Sequence, residues 1–177
     1  NGLSLGSIYA LLALGYTMVY GIIKLINFAH GDLVTLSAYV GLTVLMQCSA
    51  QASSLGVIIL MFVVSAAVIS LVGVFLERAA YRPLRNAPRL SAVVSALGAS
   101  LLIQNGIMLL WGTQMLIFPA DIFPSVSWQF GDVTISFIQV MMLVLGVVLM
   151  TALTFFINKT RLGAAIRASA INQDAAR

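Results

Sequence analysis

Ionisable side chains are scarce in this sequence, and three of them fall in one short run, Lys24-Leu-Ile-Asn27-Phe-Ala-His30-Gly31-Asp32, which interrupts an otherwise apolar stretch. Ionisable groups set among membrane-length apolar segments mark substrate paths or proton relays by default. His30 is the only imidazole. Beside Asp32 it is either a relay or a polar residue satisfying local backbone. Asp32, following Gly31, reads as the N-cap of a helix beginning at Leu33, its carboxylate accepting from the unpaired N–H groups of the first turn. A helix start of this kind, buried in protein, aims its positive dipole end at an anion. Asp32 would oppose that anion, so Asp32 is assigned to capping and the backbone to recognition. A second polar set, Ser91, Ser95, Gly98 and Asn105, recurs at helical spacing, with Ser100 and Gln104 on a neighbouring strip. Such a face either bonds another helix or lines a wet path. The candidate path residues are therefore Asn27, His30, Asp32, Ser91, Ser95 and Asn105.

Other chemistries find little support. One histidine, one cysteine and five carboxylates leave no set with metal-ligand spacing and no nucleophile beside a base. The two lysines follow Ile23 and Asn158, not the glycine of a phosphate-cradling loop. No catalytic residue, metal or cofactor is expected. Cys48 stands alone, so no intrachain disulfide forms. The net charge of +4 raises the question of nucleic acid. Its basic residues, however, sit in two short stretches beside apolar spans, where lipid headgroups and orientation explain them. No nucleic-acid partner is expected.

The elements that must position these residues follow from composition. Hydrophobic residues make up 61% of the 177, charged residues 8%, and the mean hydropathy is +1.07. A soluble domain carries roughly 25% charge. The apolar runs approach the ~20 residues that cross a bilayer. They lack the alternation of barrel strands, and in hydrocarbon only helices or closed barrels satisfy the backbone. The expected fold is all-α, a polytopic transmembrane bundle of about five spans. These run from Leu3 to Ile23, Leu33 to Met46, Leu55 to Leu76, Leu90 to Gly112 and Ile135 to Ile157. The second is short: either its helix begins near Asn27 or it is a half-helix. Gly2, Gly6, Gly15 and Gly21 offer close-packing surfaces in the first span, and Tyr9, Tyr16 and Tyr20 share one of its faces.

Two connections carry the basic residues, Glu77 to Arg89 and Asn158 to Arg177, and the one between them, Thr113 to Thr134, has acids but no Lys or Arg. The positive-inside rule puts the basic pair in the cytoplasm and Thr113 to Thr134 outside. Gln47 to Ser54 is then outside, and Lys24 to Asp32 lies at the cytoplasmic side or is re-entrant. The sequon Asn158-Lys-Thr160 falls on the cytoplasmic side and is read as chance.

Read together, Asn1 to Leu11, Tyr16 to Gly21, Ile26-Asn-Phe-Ala-His-Gly-Asp32 and Glu77-Arg78 through Tyr81-Arg-Pro-Leu-Arg85 resemble the permease subunits of branched-chain amino acid ATP-binding-cassette importers. The resemblance implies a bacterial inner-membrane subunit paired with a second permease, two ATP-binding subunits and an extracytoplasmic substrate-binding protein, all in contact with membrane lipid. Residues 158–177 resemble the cytosolic segment that contacts the ATPase, with Arg161, Gly163, Arg167, Asn172 and Asp174 as coupling residues. Family members are longer, so the chain is expected to be an N-terminal portion of a single permease domain spanning 1–177. Urea or short amides are alternative substrates within the same family. An ion-coupled secondary carrier or channel, with its site at the Lys24 to Asp32 break, is the rival from another class.

Overall fold

The computed structural model describes residues 2–23, 27–48, 55–84, 87–119, 126–130 and 133–171. The protein is a set of long helices, α1 (Gly2–Ile23), α2 (His30–Gln47), α3 (Leu55–Leu76), α4 (Arg89–Trp111) and α5 (Phe137–Lys159), followed by a shorter α6 (Arg161–Ile171). The five expected spans correspond one for one to α1 to α5. Among the described residues, three stretches are helical, long and apolar enough to cross a bilayer: Gly56–Leu84, Leu90–Trp111 and Phe137–Lys159, with Leu5–Gly21 as a shorter apolar helix. The fold is a helical membrane bundle. Two compact units divide it, Asn1–Ile26 with Phe123–Arg177, and Asn27–Ile122.

Helix ends fall where the sequence supplies stop signals. Pro88 precedes α4 with an extended backbone, and Gly112 ends it at φ 82°, a conformation that strains any residue with a Cβ. Beyond α3 the chain does not leave the helix at once. It widens into a π-turn, Glu77–Tyr81, then tightens into a 3-10 turn, Arg82–Leu84, and both Arg78 and Arg82 are exposed there.

Four expectations are corrected. The second helix begins at His30, between the two starts considered, and its N-cap position is Ala29. Thr113 to Thr134, read as an irregular connection, contains a strand, β1 (Ser127–Phe130), that pairs antiparallel with β2 (Val133–Ser136), Trp128 opposite Ile135. Ile135 is thereby taken into the strand. Helix α5 starts two residues later than read, at Phe137, because the Ser136 N–H donates to Gln139 Oε1 at 3.1 Å, half of a capping box. Finally, Gly2, Gly6 and Gly21 meet open space. The close approaches lie elsewhere. A Cβ at Gly146 of α5 would touch Ser7 of α1 at 3.5 Å, and one at Gly41 of α2 would meet Met61 of α3 at 3.2 Å.

Within the second unit, α2 packs on α3 and α4 around Ala29, Leu76, Ala99, Ile103 and Ile107. Along α4 the buried residues Ala92, Ala96, Ala99, Ile103 and Ile107 recur at three- and four-residue spacing, one stripe of a helix. Its first half is all alanine. Small residues there let the start of α2 and the π-turn come close, as between helices in lipid.

Candidate functional site: a polar cluster between two parallel helices

The residues Asn27 to Ala29 turn tightly into α2. Asn27 closes the turn twice, its carbonyl accepting the His30 N–H at 3.1 Å and its Oδ1 accepting the Ala29 N–H at 3.0 Å. The same Oδ1 accepts the Tyr81 hydroxyl at 2.8 Å. One side chain thus joins the Ile26 to Asp32 run to the Tyr81-Arg-Pro run, two of the segments that carry the family resemblance. Asn27 supplies the polar termination of this turn that was assigned to Asp32.

Asp32 is free of that duty. It sits in the first turn of α2, and Ala29 has no side-chain cap. Its carboxylate faces α4 instead. The Ser100 hydroxyl donates to Oδ2, the Gln104 amide donates to Oδ1 at 2.9 Å and bridges to Ser100 Oγ at 3.3 Å. Ser100 and Gln104 are one helical turn apart, so both reach a single partner. At the far end of the same pair, Trp111 Nε1 donates to Thr43 Oγ1 at 2.8 Å, and the Trp111 ring lies 5.4 Å from that of Tyr39.

These two ties fix the geometry. Asp32 with Ser100 and Thr43 with Trp111 share one sequence separation, 68, so α2 and α4 run parallel and in register. Ser100 lies about 16 Å along the axis from the Arg89 start of α4, at 1.5 Å per residue. The first turn of α2 therefore stands level with the middle of an apolar helix of membrane-crossing length. A bare carboxylate at that depth costs about 3 kcal/mol on insertion scales. Ser100 and Gln104 offset a cost of this size, hydrogen bonds to a charged group contributing about 1.5–3 kcal/mol each.

The other predicted path residues are placed differently. His30 is half-buried at the start of α2. Ser95 donates to the Ala80 carbonyl at 3.0 Å, tying α4 to the π-turn. Ser91 lies in the first turn of α4, its N–H on the Pro88 carbonyl. Asn105 is exposed and donates to its own helix at Leu101. The structure thus brings Asp32 to Ser100 and Gln104, which at about 3.6 residues per turn lie on the opposite side of α4 from Ser91 and Ser95, and not to Asn105. Only the tertiary pairing of α2 with α4 selects between the two strips.

A second polar corner lies at the end of α5. Thr160 ends that helix and begins α6. Its hydroxyl donates to the Phe156 carbonyl at 2.6 Å and accepts the Gly163 N–H at 3.0 Å, the geometry of an N-cap. Gly163 is buried. A Cβ there would collide with the Ile157 carbonyl and stand 2.5 Å from that of Phe156, so only glycine fits. Arg167 donates to the Ile157 carbonyl, one of the orphan acceptors at a helix C-terminus. Gly163 and Arg167 therefore hold the start of α6 against the end of α5. Arg161 and Leu162 are exposed. Asn172 and Asp174 lie outside the described residues, as do Lys24 and residues 49–54.

Comparison with known proteins adds the decisive observation. The model of the family described as branched-chain amino acid transport system / permease component matches residues 1–177. The chain belongs to that family. It is 40% identical over 178 residues to the high-affinity branched-chain amino acid transport system permease protein BraD of Pseudomonas aeruginosa, covering 96% of this chain and 57% of that protein. LivH of Escherichia coli K12, named as the same kind of permease protein, is 38% identical over 177 residues, with the same shares covered. LivH of Salmonella typhimurium is 39% identical over 178 residues. The chain thus spans a little over half the length of the curated relatives it matches. No solved structure matches significantly.

Proposed function

We propose that this chain forms part of the permease subunit of an ATP-binding-cassette importer that carries branched-chain amino acids across the bacterial inner membrane. The observation that carries the reading is the family match over the whole chain together with relatives named for that transport. The chain supplies the path, and separate subunits supply ATP hydrolysis. Its partners in this reading are a second permease, two ATP-binding subunits and an extracytoplasmic binding protein. The path runs past the start of α2, with Asn27 and His30 at its entry turn and Asp32 bonded to Ser100 and Gln104 of α4. Helix α6 is the coupling segment. Its capped start at Thr160 and its anchoring through Gly163 and Arg167 would transmit a push on the helix to the end of α5, with exposed Arg161 and Leu162 facing the ATPase.

The full-length permease, reconstituted in proteoliposomes with its second permease, ATP-binding subunits and binding protein, should take up leucine, isoleucine or valine with ATP and after ion gradients are collapsed. Uptake driven by an ion gradient without ATP would favour the secondary carrier. Uptake of urea or short amides alone would reassign the substrate while leaving the machine intact.

A further inference from the structure

Asp32 carries a charge that the packing of α2 on α4 does not require. The Thr43 to Trp111 bond ties the other end of the same helix pair with neutral groups alone. A hydroxyl or amide at position 32 would serve equally as a tie. The carboxylate is oriented at both oxygens, by Ser100 and by Gln104, and both donors are neutral. A carboxylate offers roughly four acceptor positions, so each oxygen keeps capacity for a further donor. The basic side chains described in this unit, Arg78 and Arg82, are exposed on the turns beyond α3, which meet α4 at Ser95, about 7–8 Å along the axis from Ser100, and the donors to Asp32 among the described residues are Ser100 and Gln104. Asp32 is only partly buried and Gln104 is exposed, so the cluster is open on one side. A fixed anion at mid-helix depth, held by neutral donors and open on one side, is suited to a cation that arrives and leaves.

We infer that Asp32, positioned by Ser100 and Gln104, receives the ammonium group of a zwitterionic amino acid during its passage. This rests on the reading of the chain as part of an amino-acid permease. An ammonium brings a positive charge and three donors, matching the vacant acceptor positions of the two oxygens. Asp32 then discriminates by charge, admitting α-amino acids over amides or hydroxy acids of similar shape. An inorganic cation such as sodium shares the charge but not the directional donors.

The test uses the full-length permease with its second permease, ATP-binding subunits and binding protein. Asp32→Asn keeps an acceptor for Gln104 and can bond the Ser100 hydroxyl, so the tie between helices survives while the charge is lost. Ser100→Ala with Gln104→Ala loosens the tie and keeps the charge. Leucine uptake is expected to fall at least about tenfold in Asp32→Asn, a loss equivalent to 1.4 kcal/mol, and only about two- to threefold in the double variant. Asp32→Glu should restore part of the loss. Uptake in sodium-free buffer should equal that in sodium. Wild-type uptake in Asp32→Asn, greater damage in the double variant, or a sodium requirement would each overturn the assignment while leaving the permease reading in place. A wild-type complex that moves neutral amides and no amino acid would overturn both. Should Asp32→Asn not reach the membrane, thermal protection of the wild-type transporter decides. Leucine should protect it and the matching 2-hydroxy acid should not; equal protection would refute the inference.

Discussion

The two units of the protein hold their helices together in different ways. In the Asn27–Ile122 unit, side-chain hydrogen bonds between elements are spread along the whole length. Tyr81 bonds Asn27, Ser95 bonds Ala80, Ser100 and Gln104 bond Asp32, Ser65 bonds the Ser37 carbonyl, and Trp111 bonds Thr43. In the other unit, α5 approaches α1 closely at Gly146, while the ties of α5 to α6 gather at one corner around Thr160, Gly163 and Arg167. A bundle cross-linked at many levels resists relative sliding of its helices. Helix α6 also packs on α1, yet its side-chain ties converge on the end of α5, so a displacement of α6 would reach α5 through that corner. The difference suits a frame that lines a path and a segment that receives a push.

If that contrast is right, the corner should be vulnerable to one substitution and the frame should not. The largest effect is expected for Gly163→Leu, because even a Cβ collides with the end of α5 and steric overpacking costs about 1–3 kcal/mol or more. In the full-length permease, ATP-driven uptake should be lost and limited proteolysis should cut near α6, with the spans still inserted. Next is Asp32→Leu, which leaves the Ser100 hydroxyl and the Gln104 amide without their acceptor at a cost of about 1–3 kcal/mol. Thermal unfolding in detergent should shift down, with the protein still helical by circular dichroism. Thr160→Ala removes an N-cap worth about 1 kcal/mol and should raise hydrogen exchange in the first turn of α6 alone. The smallest effect is expected for Trp111→Phe. It forfeits one hydrogen bond, about 1 kcal/mol, in a frame with several others, so uptake should stay within about twofold of wild type.

The helices of this fold were readable because lipid imposes long apolar runs, and their ends coincide with Arg, Pro and Gly. The hairpin was missed although Trp128-Gln-Phe130 and Val133-Thr-Ile135 alternate on either side of Gly131-Asp132, the pattern of two strands joined by two residues. The run was absorbed into a connection because the neighbouring apolar segment dominated the reading. Asp32 shows a different limit. Its place near a helix start suggested a cap, a local explanation, whereas its partners are 68 and 72 residues away. Local spacing holds no information on which strip of α4 will face it. Gly163 shows the same limit: the sequence does not reveal that it packs against the carbonyls ending the preceding helix.

The parallel, in-register pairing of α2 with α4 is the claim on which the site depends, and disulfide trapping tests it directly. In the full-length permease with Cys48→Ser, cysteine pairs would be introduced as Asp32→Cys with Ser100→Cys, Thr43→Cys with Trp111→Cys, and the crossed pairs Asp32→Cys with Trp111→Cys and Thr43→Cys with Ser100→Cys. Under mild oxidation in membranes, the first two pairs should cross-link and the crossed pairs should not. Cross-linking of the crossed pairs, with none in the first two, would mean that the helices run antiparallel and that Asp32 does not stand at the middle of α4.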